Sequence, residues 1–244
     1  MEFIEFYEYA QKTFERNVSL PELTEETAKK LFLLTKHMLE VNKSLNLTAI
    51  KDEKSIILKH YADSLTISGY IKPNSKLIDV GCGAGFPTLP LAIFRPDVRI
   101  TAIDGTAKRI DYVALTAKML GLENVTAMAA RAEELANDKL YRESFDYATA
   151  RAVATLPILT ELCLPFVRVG GVFIGMKAQK GADEVACSHN AMAKCGGKLD
   201  KCIETLLKDR EDNTETRTLV IVSKIERTPK EFPRHYSKIS KKPL

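Results

Sequence analysis

The chain has 244 residues, 45% of them hydrophobic and 28% charged, with a formal net charge of +4 and five cysteines. That length suits one large domain, or one domain with an appendage, and the composition excludes a disordered chain. No apolar run approaches the roughly 20 residues needed to cross a bilayer, the start MEFIEFYEYA lacks the regions of a signal peptide, and an odd cysteine count without C-x-x-C indicates neither a disulfide framework nor a zinc site, so a cytoplasmic protein with neither membrane nor metal is expected.

In chain order the first elements read as helical. Thr24 has the character of an N-cap, with Glu25 and Glu26 in the first turn, where the positive end of the helix dipole favours acids. Leu31, Leu34, Met38, Val41 and Leu45 follow at spacings of three and four, which is one helical face. A short helix is expected over residues 52–61. At Lys76 the pattern changes: 76–80 is a short apolar strand running straight into a glycine loop, and 88–94 is a helix. Strands are then expected over 99–104, 124–130, 145–150 and 172–177, separated by helices over 107–120, 132–140 and 157–167. A helix over 182–193 precedes two more strands, 198–207 and 216–224, close enough for an antiparallel hairpin at a sheet edge. Strands alternating with helices indicate βαβ units and a parallel sheet covered on both faces.

The strongest local feature is Asp79-Val80-Gly81-Cys82-Gly83-Ala84-Gly85-Phe86-Pro87, which follows a strand and opens a helix. Glycines let backbone turn tightly and approach a ligand closely, and ligands of open α/β sheets sit beyond the carboxyl ends of the strands. A dinucleotide site needs G-x-G-x-x-G, but counting from Gly81 the third glycine is replaced by Phe86. The Walker pattern G-x-x-x-x-G-K-[ST] is also absent. A ligand without phosphates fits better, and S-adenosylmethionine, cationic at sulfur and zwitterionic at its methionine end, is such a ligand. Asp104 ends the second strand about 20 residues past the loop, where a ribose-binding acid belongs; capping the next helix is its alternative role. Ala130-Arg131-Ala132-Glu133-Glu134 stands where methyltransferases of this architecture read the adenine edge, and equally reads as a charged helix start. Arg151 follows the fourth strand, where methyl donor and acceptor should meet; pairing with Asp79 or another acid is its structural alternative.

The charge is uneven. Between Lys224 and Leu244 seven bases oppose Glu226 and Glu231, so this segment carries +5 and the remainder nets −1. With Phe232, His235 and Tyr236 interleaved, it reads as a nucleic-acid contact, as a solvated tail, or as a segment whose residues 230–234 pack onto the domain and leave only 238–242 free. Because the glycine loop lies elsewhere in the sequence, changes in this tail are expected to spare cofactor binding.

These elements, in this order and spacing, resemble the RsmG (GidB) family of 16S ribosomal RNA guanine-N7 methyltransferases. The resemblance covers essentially the whole chain: Asn46-Leu47-Thr48-Ala49-Ile50, His60-x-x-Asp63-Ser64-Leu65, the glycine loop, A-R-A-V-A-x-L at 150–156, and the ending T-P-K-E-F-P-R followed by K-K-P-L. Two departures are minor: Gly105-Thr106-Ala107 replaces the usual Ser-Leu-x, and Met176-Lys177-Ala178 stands where some members have Leu-Lys-Gly. The resemblance implies a Rossmann-like class I α/β methyltransferase, with a mostly parallel seven-stranded sheet, helices on both faces and an N-terminal helical extension. It implies an extension at 1–70, a cofactor domain at 71–226 and a basic C-terminal segment at 227–244. S-adenosylmethionine would be held by Gly81, Phe86, Asp104, Ala132, Glu133 and Arg151, with Arg151 also a positioning candidate. Asn46, His60, Lys177, Lys230 and Arg234 are candidates for contact with RNA. The implied substrate is guanine 527 of 16S rRNA, in the small ribosomal subunit or an assembly intermediate, met by a monomer. Guanine N7 carries an in-plane lone pair and no proton, so alignment and electrostatic fit replace a catalytic base. A small-molecule methyltransferase and a non-catalytic RNA-binding module are the rival readings. The tail argues against the first and a complete cofactor loop against the second.

Overall fold

The structure, a computed structural model, describes residues 1–179 and 181–244. Helices α1 (Phe3–Glu15) and α2 (Glu25–Leu45) come first. Thr24 caps α2 through a reciprocal capping box with Thr27, and Leu31, Leu34 and Met38 are fully buried. Val41 and Leu45, at the far end of the same stripe, are only partly covered.

The helix expected over 52–61 continues past its expected end. Asp52 caps it through Ser55 N–H at 2.7 Å, and it runs as α3 (Glu53–Ile56), a π-helical stretch over Ile57–Ala62, and α4 (Asp63–Leu65). No glycine or proline interrupts it before Gly69.

The sheet consists of β1 (Lys76–Val80), β2 (Arg99–Asp104), β3 (Val125–Ala129), β4 (Phe145–Arg151), β5 (Val167–Ala178), β6 (Gly197–Lys208) and β7 (Thr214–Lys224). The spatial order is β3-β2-β1-β4-β5-β7-β6. The first five strands are parallel, and β7 lies antiparallel between β5 and β6. In the central strand β1 every residue but the first is buried, as a parallel strand covered on both faces requires. Neighbouring residues then serve opposite cores. Leu77, Ile174 and Leu219 join the N-terminal helices, α5 (Thr88–Phe94) and α6 (Ala107–Met119) in one core. Ile78, Phe173 and Val220 join α8 (Leu156–Cys163) and Phe232 of the C-terminal segment in the other. The N-terminal helices are also tied to the β6–β7 turn, through Tyr9 Oη donating to Asp209 at 2.7 Å and Asn17 Nδ2 donating to Lys208 O at 2.6 Å.

Several boundaries differ from expectation for local reasons. The helix expected over 132–140 shrinks to α7 (Ala132–Leu135). Asn137 donates to Glu133 O at 2.9 Å and Leu140 N–H binds Asp138 Oδ1 at 2.8 Å, side-chain bonds that compete with helix continuation. The helix expected to reach 167 breaks at Cys163, ahead of Pro165, into a 3-10 turn over Leu164–Phe166. Strand β5 starts five residues earlier than expected, at Val167, because its register against β4 slips once. Gly170 (φ +83°) and Gly171 allow that slip, for a Cβ at Gly171 would lie 2.5 Å from Asp146 O. The expected 182–193 helix divides into α9 (Gly181–Ala186) and α10 (His189–Lys194), with Ser188 Oγ donating back to Glu184 O at 2.6 Å. The chain closes with α11 (Tyr236–Lys241).

The parallel register sets the site. Asp104 pairs with Ala129 and Arg151 with Met176, so the carboxyl ends of β2, β3, β4 and β5 form one rim beside the loop after β1.

Candidate functional site

The glycine loop spends its own amides. Gly81 and Cys82 N–H both bind Ile103 O, at 2.8 and 3.0 Å, and Gly85 and Phe86 N–H both bind Cys82 O. Gly83 N–H binds Asp104 Oδ2 at 3.1 Å. A phosphate site needs amides turned outward to the ligand, and these turn inward. Gly81 has φ +77°, and a Cβ there would lie 2.6 Å from the Val153 side chain, so only glycine fits under the loop after β4.

The carboxylates around the loop have the opposite character. Asp79 is fully buried; its Oδ2 accepts from Thr88 Oγ1 at 2.6 Å, while Oδ1 has no partner. Burial raises its pKa to about 6, helped by nearby Asp104 and opposed by Thr88 and Arg151. An orphaned buried carboxylate oxygen costs free energy unless a donor meets it. Asp104 is held by Gly83 N–H and by Thr106 N–H at 2.8 Å, so it also caps the turn into α6. Two acids beside a loop that turns five of its amides inward fit a cationic, phosphate-free ligand. Cys82 is buried beside them, and burial pushes its thiol well above the ordinary range, which leaves it unreactive.

A second constellation faces this loop from the N-terminal helices. Arg151 donates through Nη1 to Asp63 Oδ2 at 2.7 Å and to Lys59 O at 3.0 Å. Its Nη2 faces His60 Nδ1 at 3.3 Å. Since arginine only donates, Nδ1 accepts and Nε2 carries the proton, which goes to Thr48 Oγ1 at 2.9 Å. Burial, then the charge of Arg151, lowers the His60 pKa to about 3, so the ring is neutral. Phe86 stacks on His60 with centroids 4.4 Å apart, and the Arg151 guanidinium lies 5.4 Å over the same ring. Asp63 Oδ1 also takes Arg217 Nε at 3.1 Å, so one buried carboxylate orients two guanidiniums.

Three clefts open along the rim. One, of about 370 Å³, is bounded by Thr48, His60, the glycine loop, Phe86, Asp104 and Arg151. It adjoins one of about 220 Å³, where Asp104 faces Ala132, Glu133 and Tyr236. The third, of about 490 Å³, shares His60, Arg151 and Ala152 with the first and is walled by Lys59, Lys177, Glu215 and Arg217. Gly81, Phe86, Asp104, Ala132, Glu133, Arg151, His60 and Lys177 therefore converge on one continuous rim. Asn46 does not join them: it is the exposed left-handed C-cap of α2 (φ 49°). Lys230 stands exposed on the C-terminal segment.

At Phe232 and Arg234 the C-terminal segment packs onto the domain, one of the alternatives its sequence offered, so Arg234 is not free for RNA. Arg234 grips the fully buried Glu161 of α8 through Nε at 2.8 Å and Nη2 at 2.6 Å. Lys224 is buried, its ammonium meeting Leu164 O at 2.9 Å and Cys195 O at 3.1 Å, and burial lowers its pKa to about 8. Arg142 donates to the carbonyls of Thr228, Pro229 and Phe232. Sequence reading missed Thr48, Asp63, Arg217 and Tyr236 as site residues. The Asn46–Ile50 and His60-x-x-Asp63 motifs contained Thr48 and Asp63, and the tail aromatics included Tyr236, but nothing in the sequence pointed to Arg217.

Comparison with known proteins gives the family and the fold. The family described as GidB, rRNA small subunit methyltransferase G, matches residues 27–212. The ribosomal RNA small subunit methyltransferase G of Clostridium beijerinckii is 42% identical over 243 residues, 99% of this chain and 100% of that protein. That of Lactobacillus acidophilus is 41% identical over 227 residues, 91% of this chain and 93% of the relative. Among solved structures, TYW2 of M. jannaschii in complex with AdoMet aligns with a TM-score of 0.50 at 18% identity, over 65% of this chain and 73% of that one. TYW2 of P. horikoshii in complex with MeSAdo aligns with a TM-score of 0.53 at 14% identity, over 67% and 62%. At these identities the solved structures speak for the fold, the Rossmann-like α/β methyltransferase fold.

Proposed function

Since the chain belongs to the rRNA small subunit methyltransferase G family, we propose that it transfers the methyl group of S-adenosylmethionine to N7 of a guanine in 16S ribosomal RNA, guanine 527 by the family resemblance. The observation that carries this reading is the junction at Arg151. It borders both the cleft of the glycine loop and Asp104 and the cleft of Lys59, Lys177 and Arg217. Direct transfer between two bound molecules requires their reacting atoms to meet in line and in near contact, and two clefts that share the border at His60, Arg151 and Ala152 bring a donor and an acceptor side by side. On this reading residues 71–226 hold the cofactor, and 1–70 supply Thr48, His60 and Asp63 to the wall between the clefts.

S-adenosylmethionine, when bound, supplies an electrophilic methyl group. Asp104 accepts from ribose hydroxyls, Glu133 faces the adenine edge, and the vacant Asp79 Oδ1 favours a cationic end of the ligand. The base N7 needs no deprotonation, and neutral His60, held by Thr48 and stacked on Phe86, offers no strong base. Its part is to fix Arg151, whose plane is set by Asp63 and Lys59 O. Arg151 and Lys177 suit guanine O6 or a flanking phosphate as donors. The test is methyl transfer from labelled S-adenosylmethionine to 16S rRNA, naked and within small subunits, with mapping of the modified nucleotide. Label on the ribose, on another base atom, or on neither substrate would refute the reading.

A further inference from the structure

Tyr236 opens α11, far in sequence from the glycine loop, yet it stands on the wall of the cleft that holds Asp104 and Glu133. Its neighbours on that wall include Val153 and Leu162, both apolar. The helix that carries it is fixed from both sides. Arg234, just before it, is bound to buried Glu161, and Ile239, one turn on, is fully buried. Glu161 and Leu162 are adjacent on α8, so the residue that anchors the segment also sets Tyr236 against the cleft. Tyr236 itself is 40% exposed. Among the described residues its hydroxyl has no hydrogen-bond partner and its ring no aromatic neighbour. A large ring held half-exposed on an anchored helix contributes little to the core and is preorganised to receive a flat partner.

We propose that Tyr236 packs against the adenine ring of the adenosyl cofactor, which makes the C-terminal helix a wall of the cofactor site. This rests on the S-adenosylmethionine reading of the cleft. It reverses the expectation that changes in the C-terminal segment spare the cofactor. The ring lies beyond Asp104 along the rim, on the side of Ala132 and Glu133, where the nucleoside base would extend once Asp104 holds the ribose.

The experiment is calorimetric titration of S-adenosylhomocysteine into the full chain and its Tyr236→Ala and Tyr236→Phe variants, with melting temperatures in parallel. Tyr236→Ala is expected to raise Kd about fivefold to tenfold, the range of a lost ring contact, with the melting temperature unchanged. Tyr236→Phe is expected to keep the wild-type Kd, since the ring and not the hydroxyl makes the contact. The chain has no tryptophan, so Tyr236→Trp places a single fluorophore at the cleft, and its emission is expected to change on saturation with S-adenosylhomocysteine. An unchanged Kd in Tyr236→Ala overturns the proposal, as does a loss in Tyr236→Phe equal to that in Tyr236→Ala. If the alanine variant loses its fold, an indifferent Tyr236→Trp emission overturns it instead. Failure of the wild-type chain to bind S-adenosylhomocysteine at all overturns the cofactor reading itself, a distinct result.

Discussion

Replacing Arg234 with Gln is expected to destabilise the fold, whereas replacing Lys230 with Gln is not. Glu161 has no exposure, and it accepts three bonds from Arg234: backbone N–H at 2.9 Å, Nε at 2.8 Å and Nη2 at 2.6 Å. The substitution leaves a buried carboxylate with one of those donors and no opposing charge. Removing one partner of a buried pair costs about 3–5 kcal/mol; with the backbone bond kept and an amide offered in place of the guanidinium, about 3 kcal/mol is expected. At about 2–4 °C per kcal/mol for a domain of this size, the melting temperature should fall by roughly 6–12 °C. Changing Glu161 to Gln as well removes the stranded charge, so the double variant should recover part of the loss. Lys230 is exposed, and its substitution should stay within about 0.5 kcal/mol of wild type. If it meets a phosphate, the logarithmic salt slope of RNA binding should drop by about 0.7–0.9. Thermal melts by circular dichroism and binding of a 16S fragment at several salt concentrations decide the matter. An Arg234→Gln variant that melts with the wild type yet flattens the salt slope would refute the reasoning, for the guanidinium would then serve RNA and not Glu161.

Asp104→Ala should weaken S-adenosylhomocysteine binding by about 1.5–3 kcal/mol, the scale of hydrogen bonds to a charged group; normal calorimetric affinity would remove Asp104 from the ribose. Arg151→Ala should lower turnover on RNA strongly while S-adenosylhomocysteine still binds and far-UV circular dichroism is unchanged; unchanged turnover, or global unfolding, would sink the assignment. Asp79, whose pKa burial raises to about 6, holds its proton more tightly folded than unfolded, so its contribution to stability is full below about pH 4 and is lost as pH rises through 6. A cationic ligand should accordingly bind more tightly at pH 8 than at pH 5.5, and Asp79→Asn should abolish that difference in calorimetry; a variant with the wild-type pH dependence would show that Asp79 does not face the ligand.

What was legible in the sequence was what neighbours along the chain decide. Val80 to Phe86 announces a strand-to-helix loop because glycines sit where the backbone must turn, and the β1 to β5 pattern follows from short apolar runs between helices. The break at Pro165 and the slip at Gly170-Gly171 had local signals too, but their consequences depended on the partner strand. What was not legible was how each charge is used. Lys224 and Arg234 count as tail bases in the sequence, yet their partners lie on α8, on its following turn and at Cys195, at separations on which a charge count is silent. Asp63 reads as one more acid until the fold brings Arg151 from β4 and Arg217 from β7 to its two oxygens. Tyr236 joins the Asp104 cleft because Arg234 finds Glu161 and Ile239 is buried, neither of which the sequence announces.

The paired charges also set where the molecule's electrostatic attraction lies. The cleft on the far side of Arg151 from the glycine loop gathers Lys59, Lys177, Arg151 and Arg217, but each is matched. Lys59 meets Glu215 at 2.8 Å, Lys177 meets Glu184 at 2.9 Å, and Asp63 takes both guanidiniums. Three carboxylates against four bases leave little net field, so this cleft attracts a polyanion weakly. What it offers instead is a set of donors whose directions the carboxylates fix, which suits the edge of one extruded base more than a run of phosphates. Backbone attraction must then come from bases that the fold leaves exposed, and on the C-terminal segment these are Arg227, Lys230, Lys238, Lys241 and Lys242. Salt should therefore act mainly on RNA affinity through those five bases, while substitutions at Arg151 and Arg217 should act mainly on which nucleotide is accepted and how it is aligned.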